Sequence, residues 1–420
     1  MTDLPGREND PNDNPFAMFG NPEQMAAAMR QFADMLSNPS SGPVNWDMAK
    51  NIARHAVVAN GDPSVMEGER RQIVDALQLA DLWLNEATTL PSGVTSPQAW
   101  SRSEWIEQTI PVWQRLCDPI AERMVETMGG ALSSPGLPDE AKAMAGPLVG
   151  MIKQMSGMMV GTQIGQALGS LAGEVTGSSD IGLPLSGDAA LLPGGVASFS
   201  AGLETPNEEI RLYLALREAA YQRLFHHVPW LRARLFGAVE DYAKGIRVDV
   251  SQLEEQIGKL DFHNPAELQD ALSGGAMLKP EDTEQQKAAL ARLETMLALV
   301  EGWVSTVVDN AAEGKLPAAA ALSETVRRRR ATGGPAEHTF ATLVGLELRP
   351  RRLREAATLW QALRATRGVE GRDAVWNHPD LMPSAHDLDD PLGFVSGESE
   401  LDLSDLDTPR EDDGPAAPSA

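Results

Sequence analysis

Five glycines recur every four residues in "GMMVGTQIGQALGSLAG": Gly157, Gly161, Gly165, Gly169 and Gly173. On an α-helix that spacing leaves one face without side chains, so a second helix can approach to backbone contact. A chain carrying such a groove is committed to close helix–helix packing. The same pattern serves helix pairs in membranes. Here Lys153, Gln154, Gln163 and Gln166 interrupt the apolar run and Glu174 ends it, short of the ~20 apolar residues a span requires. The segment therefore reads as a helix buried in a water-soluble core, with no membrane span.

The remaining patterns agree with a mainly α fold. Amphipathic periodicity runs through "NPEQMAAAMRQFADML", "SVMEGERRQIVDALQLADLWLNEAT" and "SRSEWIEQTIPVWQRLCDPIAERMVETM", the last expected to break at Pro111 and Pro119. Thr205-Pro206-Asn207-Glu208 predicts an N-cap, a proline in the first turn and a capping-box glutamate. Two further long helices fit "EDTEQQKAALARLETMLALVEGWVSTVVDNAAEG" and "RRLREAATLWQALRATRG". Strand signals are confined to "IRVDV" and part of "DIGLPLSGDAALLPGGVASFS", enough for a small β-sheet at most.

Residues 1–20 are rich in Asn, Asp, Pro and Gly and read as disordered. Residues 21–396 form the helical domain, and 397–420 an acidic, disordered tail. From Asp380 to Ala420 twelve acidic residues face one basic residue, Arg410. Sixty acidic against 35 basic residues give a net charge of -25, which disfavours nucleic acid and anionic membranes as partners. The single cysteine, Cys117, excludes an internal disulfide and a Cys-rich metal site. The N-terminus lacks a basic region followed by an apolar core, so a cytoplasmic location is expected.

Within "LALREAAYQRLFHHVPWLRARLFGAVEDY", Arg217-Glu218-Ala219-Ala220-Tyr221 has the spacing of His-Glu-x-x-His, the helical zinc motif, with Arg and Tyr at the histidine positions. Ile210, Leu214, Arg217, Tyr221, Leu224 and Val228 share one helical stripe, which turns Arg217 toward the core. An inward arginine needs an acidic partner. Glu301, at the edge of the stripe Leu290, Leu293, Leu297, Val300, Val304 and Val307, is one solution. Local pairing with Glu218 or Glu209, or extension of the guanidinium to water, is the other.

Five segments carry a resemblance to a known family. They are "GTQIGQALGSLAGEVTGSSDIGLPL", "LFHHVPWLRARLFGAVEDYAKGI", "MLALVEGWVSTVVDNA", "RRRRATGGPAEHTFATLVGLELRPRRLREAATLW" and "RDAVWNHPDLMPSAHDLDDPLGF". Together, over roughly Gly146 to Phe394, the chain resembles the zincin-like hydrolases of high-GC bacteria, often labelled zinc-dependent metalloproteases. The resemblance implies His-Glu-x-x-His on the first helix and Glu-Gly-His on the second. It makes Glu218 the general base, now vestigial, and Glu301 the acidic residue of the second motif. Arg217, Tyr221 and Trp303 then stand at degenerate ligand positions. Arginine cannot be deprotonated to bind a metal, and a neutral tyrosine is a poor ligand. No zinc is expected, and a non-catalytic binding or scaffold role with an unknown protein or peptide partner follows. The alternative is an active zinc-dependent hydrolase using other ligands.

Other clusters carry less. His226 and His227 are adjacent, about 100° apart on a helix, which suits a structural pair better than a shared metal. His378, Asp380, His386 and Asp387 lie in a proline-punctuated surface segment. Arg327 to Arg330, with Arg349, Arg351, Arg352 and Arg354, lack interleaved aromatics and are expected to pair with carboxylates. "ATGGPAEHTF" lacks the spacing and strand of a phosphate loop.

Overall fold

The computed structural model describes residues 42–131, 157–248, 280–281, 283–331 and 352–397. The N-terminal segment 1–20, the short helix expected near its end, the acidic stretch from 398, and Arg349 and Arg351 lie outside the described residues. The helices in chain order are α1 (Trp46–Ala59), α2 (Glu67–Leu84), α3 (Arg102–Ala131), α4 (157–172), α5 (Pro193–Ser200) and α6 (Asn207–His227). They continue as α7 (Pro229–Gly245), α8 (Glu284–Ala312), α9 (Ala319–Ala331), α10 (Leu353–Asp373), α11 (Ala385–Asp389) and α12 (Pro391–Ser396). Extended structure among the described residues amounts to two short ladders, β1 (Gln98–Ala99) parallel to β2 (Ala190–Leu191), and β3 (Arg247–Val248) antiparallel to β4 (Pro280–Glu281), with an isolated bridge between Gly177 and Leu191. The fold is mainly α.

The glycine stripe of α4 packs on α1. A Cβ at Gly161 would stand 2.7 Å from the Asn45 carbonyl oxygen, and one at Gly165 would stand 2.6 Å from that of Ala49. Any side chain there would force the two helices apart. Gln163 and Gln166 face outward, so α4 is two-sided rather than lipid-like. Among the described residues no helix is long and apolar enough to cross a membrane.

At the centre, α6 packs against α2 and α8, and α8 packs in turn against α7 and α10. Every residue of α6 from Tyr213 to Phe225 is buried, not a single stripe. The polar residues off that stripe are matched by partners on several neighbours. Arg223, for example, donates to Asp81 Oδ1 at 2.8 Å, Asn85 Oδ1 at 2.7 Å and the Leu90 carbonyl at 2.9 Å.

Two local expectations are corrected. Helix α3 runs unbroken through Pro111 and Pro119. The carbonyls those prolines leave unbonded, of Glu107 and Arg115, belong to exposed residues, where solvent can satisfy them. Helix α6 starts one residue later than the capping pattern implies, with Pro206 as N-cap and no side-chain cap bond. The Glu209 carboxylate caps a neighbour instead, accepting from the Ala318 amide at 3.0 Å. The stretch after Asp180 is extended in part, as expected: it holds β2, and Pro193 then opens α5.

Candidate functional site

The two central helices bring Arg217, Tyr221 and Glu301 together. Arg217 Nη2 donates to Glu301 Oε1 at 2.7 Å and to Tyr221 Oη at 3.2 Å, and Tyr221 Oη donates to Glu301 Oε2. Arg217 is 4% exposed and Glu301 6%. Their pairing takes the first of the two sequence readings and excludes local pairing or extension to water. The four-residue spacing of 217 and 221 stacks guanidinium over phenol on one face of α6, and both meet α8 there.

A fourth member comes from α9. Arg330 Nη1 lies 2.9 Å from Glu301 Oε2, while its Nη2 donates to Tyr221 Oη at 3.1 Å and to the Asp180 carbonyl. Sequence reasoning had grouped Arg330 with its neighbours as carboxylate partners. Its helical phase separates it from them: Arg328 pairs with exposed Glu324 at 2.8 Å, and Arg327 donates to Ser323 Oγ at 2.6 Å. Arg352 lies 3.5 Å from Asp389.

Electrostatically the centre is a carboxylate between two cations. Burial alone would push the Glu301 carboxyl up, but the charges of Arg217 and Arg330 outweigh it and hold the group below the usual carboxylate range. Burial disfavours charge on both guanidiniums too, yet Glu301 raises both above the ordinary arginine value. The Tyr221 phenol is pushed upward, first by burial, so it remains a neutral donor.

Glu218 points elsewhere, into the loop between α4 and α5. Its Oε1 accepts from Ser178 Oγ at 2.5 Å and Gln222 Nε2 at 3.1 Å, and its Oε2 from the Ser179 amide at 3.0 Å. A Cβ at residue 177 would stand 2.7 Å from Oε2, so Gly177 is what lets the loop close on the carboxylate. At 2% exposure Glu218 faces no open cleft, and burial raises its pKa despite those donors. The loop sits under the same arginine run, for Arg329 donates to the Glu174 carbonyl as Arg330 does to that of Asp180. "GSSD" at 177–180 carries both the Glu218 contacts and the Arg330 contact, a role that its turn-like composition hides.

Trp303 is not brought to the cluster. Two residues past Glu301 it projects from another side of α8, where its indole N–H donates to Asp373 Oδ1 at 3.0 Å and its ring meets Trp376 edge-on. Asp373 is held further by Arg372 Nε at 2.8 Å and by Thr88 and Thr89. His226 and His227 are exposed, their rings on the carbonyls of Gln222 and Ser92 respectively, each at 3.0 Å. His378 and Asp387 hold local turns. No group of three His, Cys, Asp or Glu side chains able to hold a metal ion occurs among the described residues.

A family model described as zincin-like metallopeptidase matches residues 44–395. A crystal structure from Chloroflexus aurantiacus, described as a candidate hydrolase with a novel fold, superimposes with a TM-score of 0.59 at 20% sequence identity. The match covers 85% of this chain and 99% of that one, and at this identity it establishes a shared fold. No curated protein matches the chain.

Proposed function

This chain belongs to the zincin-like metallopeptidase family, and we propose that it is a member whose zinc motif is degenerate and whose role is non-catalytic, as a cytoplasmic binding or scaffold protein. One observation carries the reading: Glu301, the carboxylate matched to the second motif, is shared by Arg217, Arg330 and Tyr221. A catalytic zinc needs three protein ligands and an open position for water. The side chains gathered here do not fit that ion. Two are permanent cations, the phenol is held neutral, and the one carboxylate is already neutralised. A zinc ion placed among them would meet two positive charges and displace two ion pairs.

The state of Glu218 supports the same conclusion. A general base has to reach the water it deprotonates. Both oxygens of Glu218 are occupied by Ser178, Ser179 and Gln222. The two halves of a metallopeptidase centre are thus each filled by internal partners, which favours a closed, structural use of the old motif.

A fluorogenic peptide-library assay tests the proposal, run with added zinc, with chelator, and on Glu218→Gln. Hydrolysis should stay at background and be identical in all three. Turnover that requires zinc and disappears in Glu218→Gln would establish the active-hydrolase alternative.

A further inference from the structure

Where α3 packs on α7, two arginines converge on one ring. Arg115 of α3 places its guanidinium carbon 4.6 Å from the centroid of Phe236, and Arg232 of α7 places its own at 5.5 Å. The two positive charges can lie no farther apart than the sum of those distances. Arg115 is exposed, Arg232 half-buried, and no carboxylate among the described residues pairs with either. Asp118, one turn along α3, is taken by the Trp46 indole N–H at 2.8 Å. Burial, and next the charge of Arg115, hold Arg232 below the ordinary arginine value. In a chain with 60 acidic and 35 basic residues, two adjacent arginines with no acid partner among the described residues are unexpected.

We propose that Arg115 and Arg232 form a carboxylate clamp on the Phe236 ring, and that its ligand is this chain's own acidic stretch, 398–413. That stretch holds eight carboxylates, Glu398, Glu400, Asp402, Asp405, Asp407, Glu411, Asp412 and Asp413, against Arg410 alone. Leu401, Leu403 and Leu406 lie between them and suit the apolar stems that flank an aromatic ring. It leaves the described structure at Gly397, after α12, which packs on α10. The turn after α10 is tied to the start of α7 by Trp230 Nε1 donating to the Trp376 carbonyl at 2.9 Å. Sixteen extended residues span about 50 Å, more than the ~22 Å radius of gyration of a compact chain this long. The clamp is independent of zinc and of the non-catalytic reading.

The test uses the full chain and the protease Glu-C, with intact-mass detection of cleavage after Glu398 and Glu400. At low ionic strength the Arg115→Gln/Arg232→Gln protein should be cut about fivefold faster than the wild type, as two partly exposed ion pairs would give. High salt should erase the difference. Arg234→Gln, which removes an exposed charge from the same helix, should behave as wild type. If the double variant does not fold, Arg115→Gln alone should give a smaller acceleration. Equal rates in wild type and variants at low salt would overturn the proposal, as would an equal effect of Arg234→Gln. Protection that grows with protein concentration would place the stretch on a second copy and overturn the intrachain assignment.

Discussion

Replacing Arg217 by Met tests the central ion pair by removing a charge while keeping most of the side-chain volume. Breaking a buried pair by deleting one partner costs roughly 3–5 kcal/mol when the other charge is left alone. Glu301 is not left alone here, because Arg330 and Tyr221 still hold Oε2. The expected loss for Arg217→Met is therefore about 2–3 kcal/mol, below that range. Glu301→Gln strands two guanidiniums, one of them 4% exposed, and should cost about 3 kcal/mol. The double variant leaves only Arg330, which is partly exposed and keeps the Asp180 carbonyl and Tyr221 Oη as acceptors. It should cost about 3 kcal/mol in all, a coupling of roughly 2 kcal/mol between the two positions. Urea unfolding of the four proteins at neutral pH measures that coupling from midpoints and slopes. Losses that add to within about 0.5 kcal/mol would mean that Arg217 and Glu301 do not share an interaction, and the description of the centre would fail.

The two buried glutamates should respond to pH in opposite senses. Glu301 has a lowered folded pKa, so its contribution is present above the unfolded value of about 4.3 and is lost as pH falls through the folded value. Glu218 has a raised folded pKa, so the stability that proton binding supplies is present below about 4.3 and is lost as pH rises through the folded value. Glu218→Gln should consequently gain on the wild type as pH increases over that window, and parallel stability–pH curves would refute the assignment. Gly165→Ala should destabilise by about 1–3 kcal/mol in thermal or urea melts, since its Cβ would meet the Ala49 carbonyl oxygen at 2.6 Å; a neutral result would contradict the α1–α4 contact. Trp303→Phe keeps a ring but drops the bond to Asp373, for an expected loss of about 1.5–3 kcal/mol. A change below about 0.5 kcal/mol would show that Asp373 has no need of the indole.

How far the sequence reached depended on whether a residue's partner lay on a periodic element. The Arg217–Glu301 pair was legible because each residue sits on or beside an apolar stripe, and two inward-facing stripes on long helices have few places to meet but each other. Arg330 was not, since four consecutive arginines look alike until the phase of α9 decides which one turns inward. The loop at 177–180 escaped for a different reason. Its serines reach Glu218 through a close approach that depends on the missing Cβ of Gly177, and composition does not encode that approach. Arg223 and Gln222 lie off the apolar stripe, and periodicity does not name partners for them; in the fold they find Asp81, Asn85 and the serine hydroxyls. Glu301 and Trp303 stand two residues apart in sequence, yet helical geometry sends them to different clusters.

The metal content of the purified full chain bears most directly on the degenerate centre. Elemental analysis after dialysis against a weak chelator, at a protein concentration where one zinc per chain would be unmistakable, should find zinc well below stoichiometric. Arg217→His/Tyr221→His should raise retention only in part, because Arg330 still holds Glu301. One zinc per wild-type chain, surviving dialysis and lost in Glu301→Gln, would contradict the account.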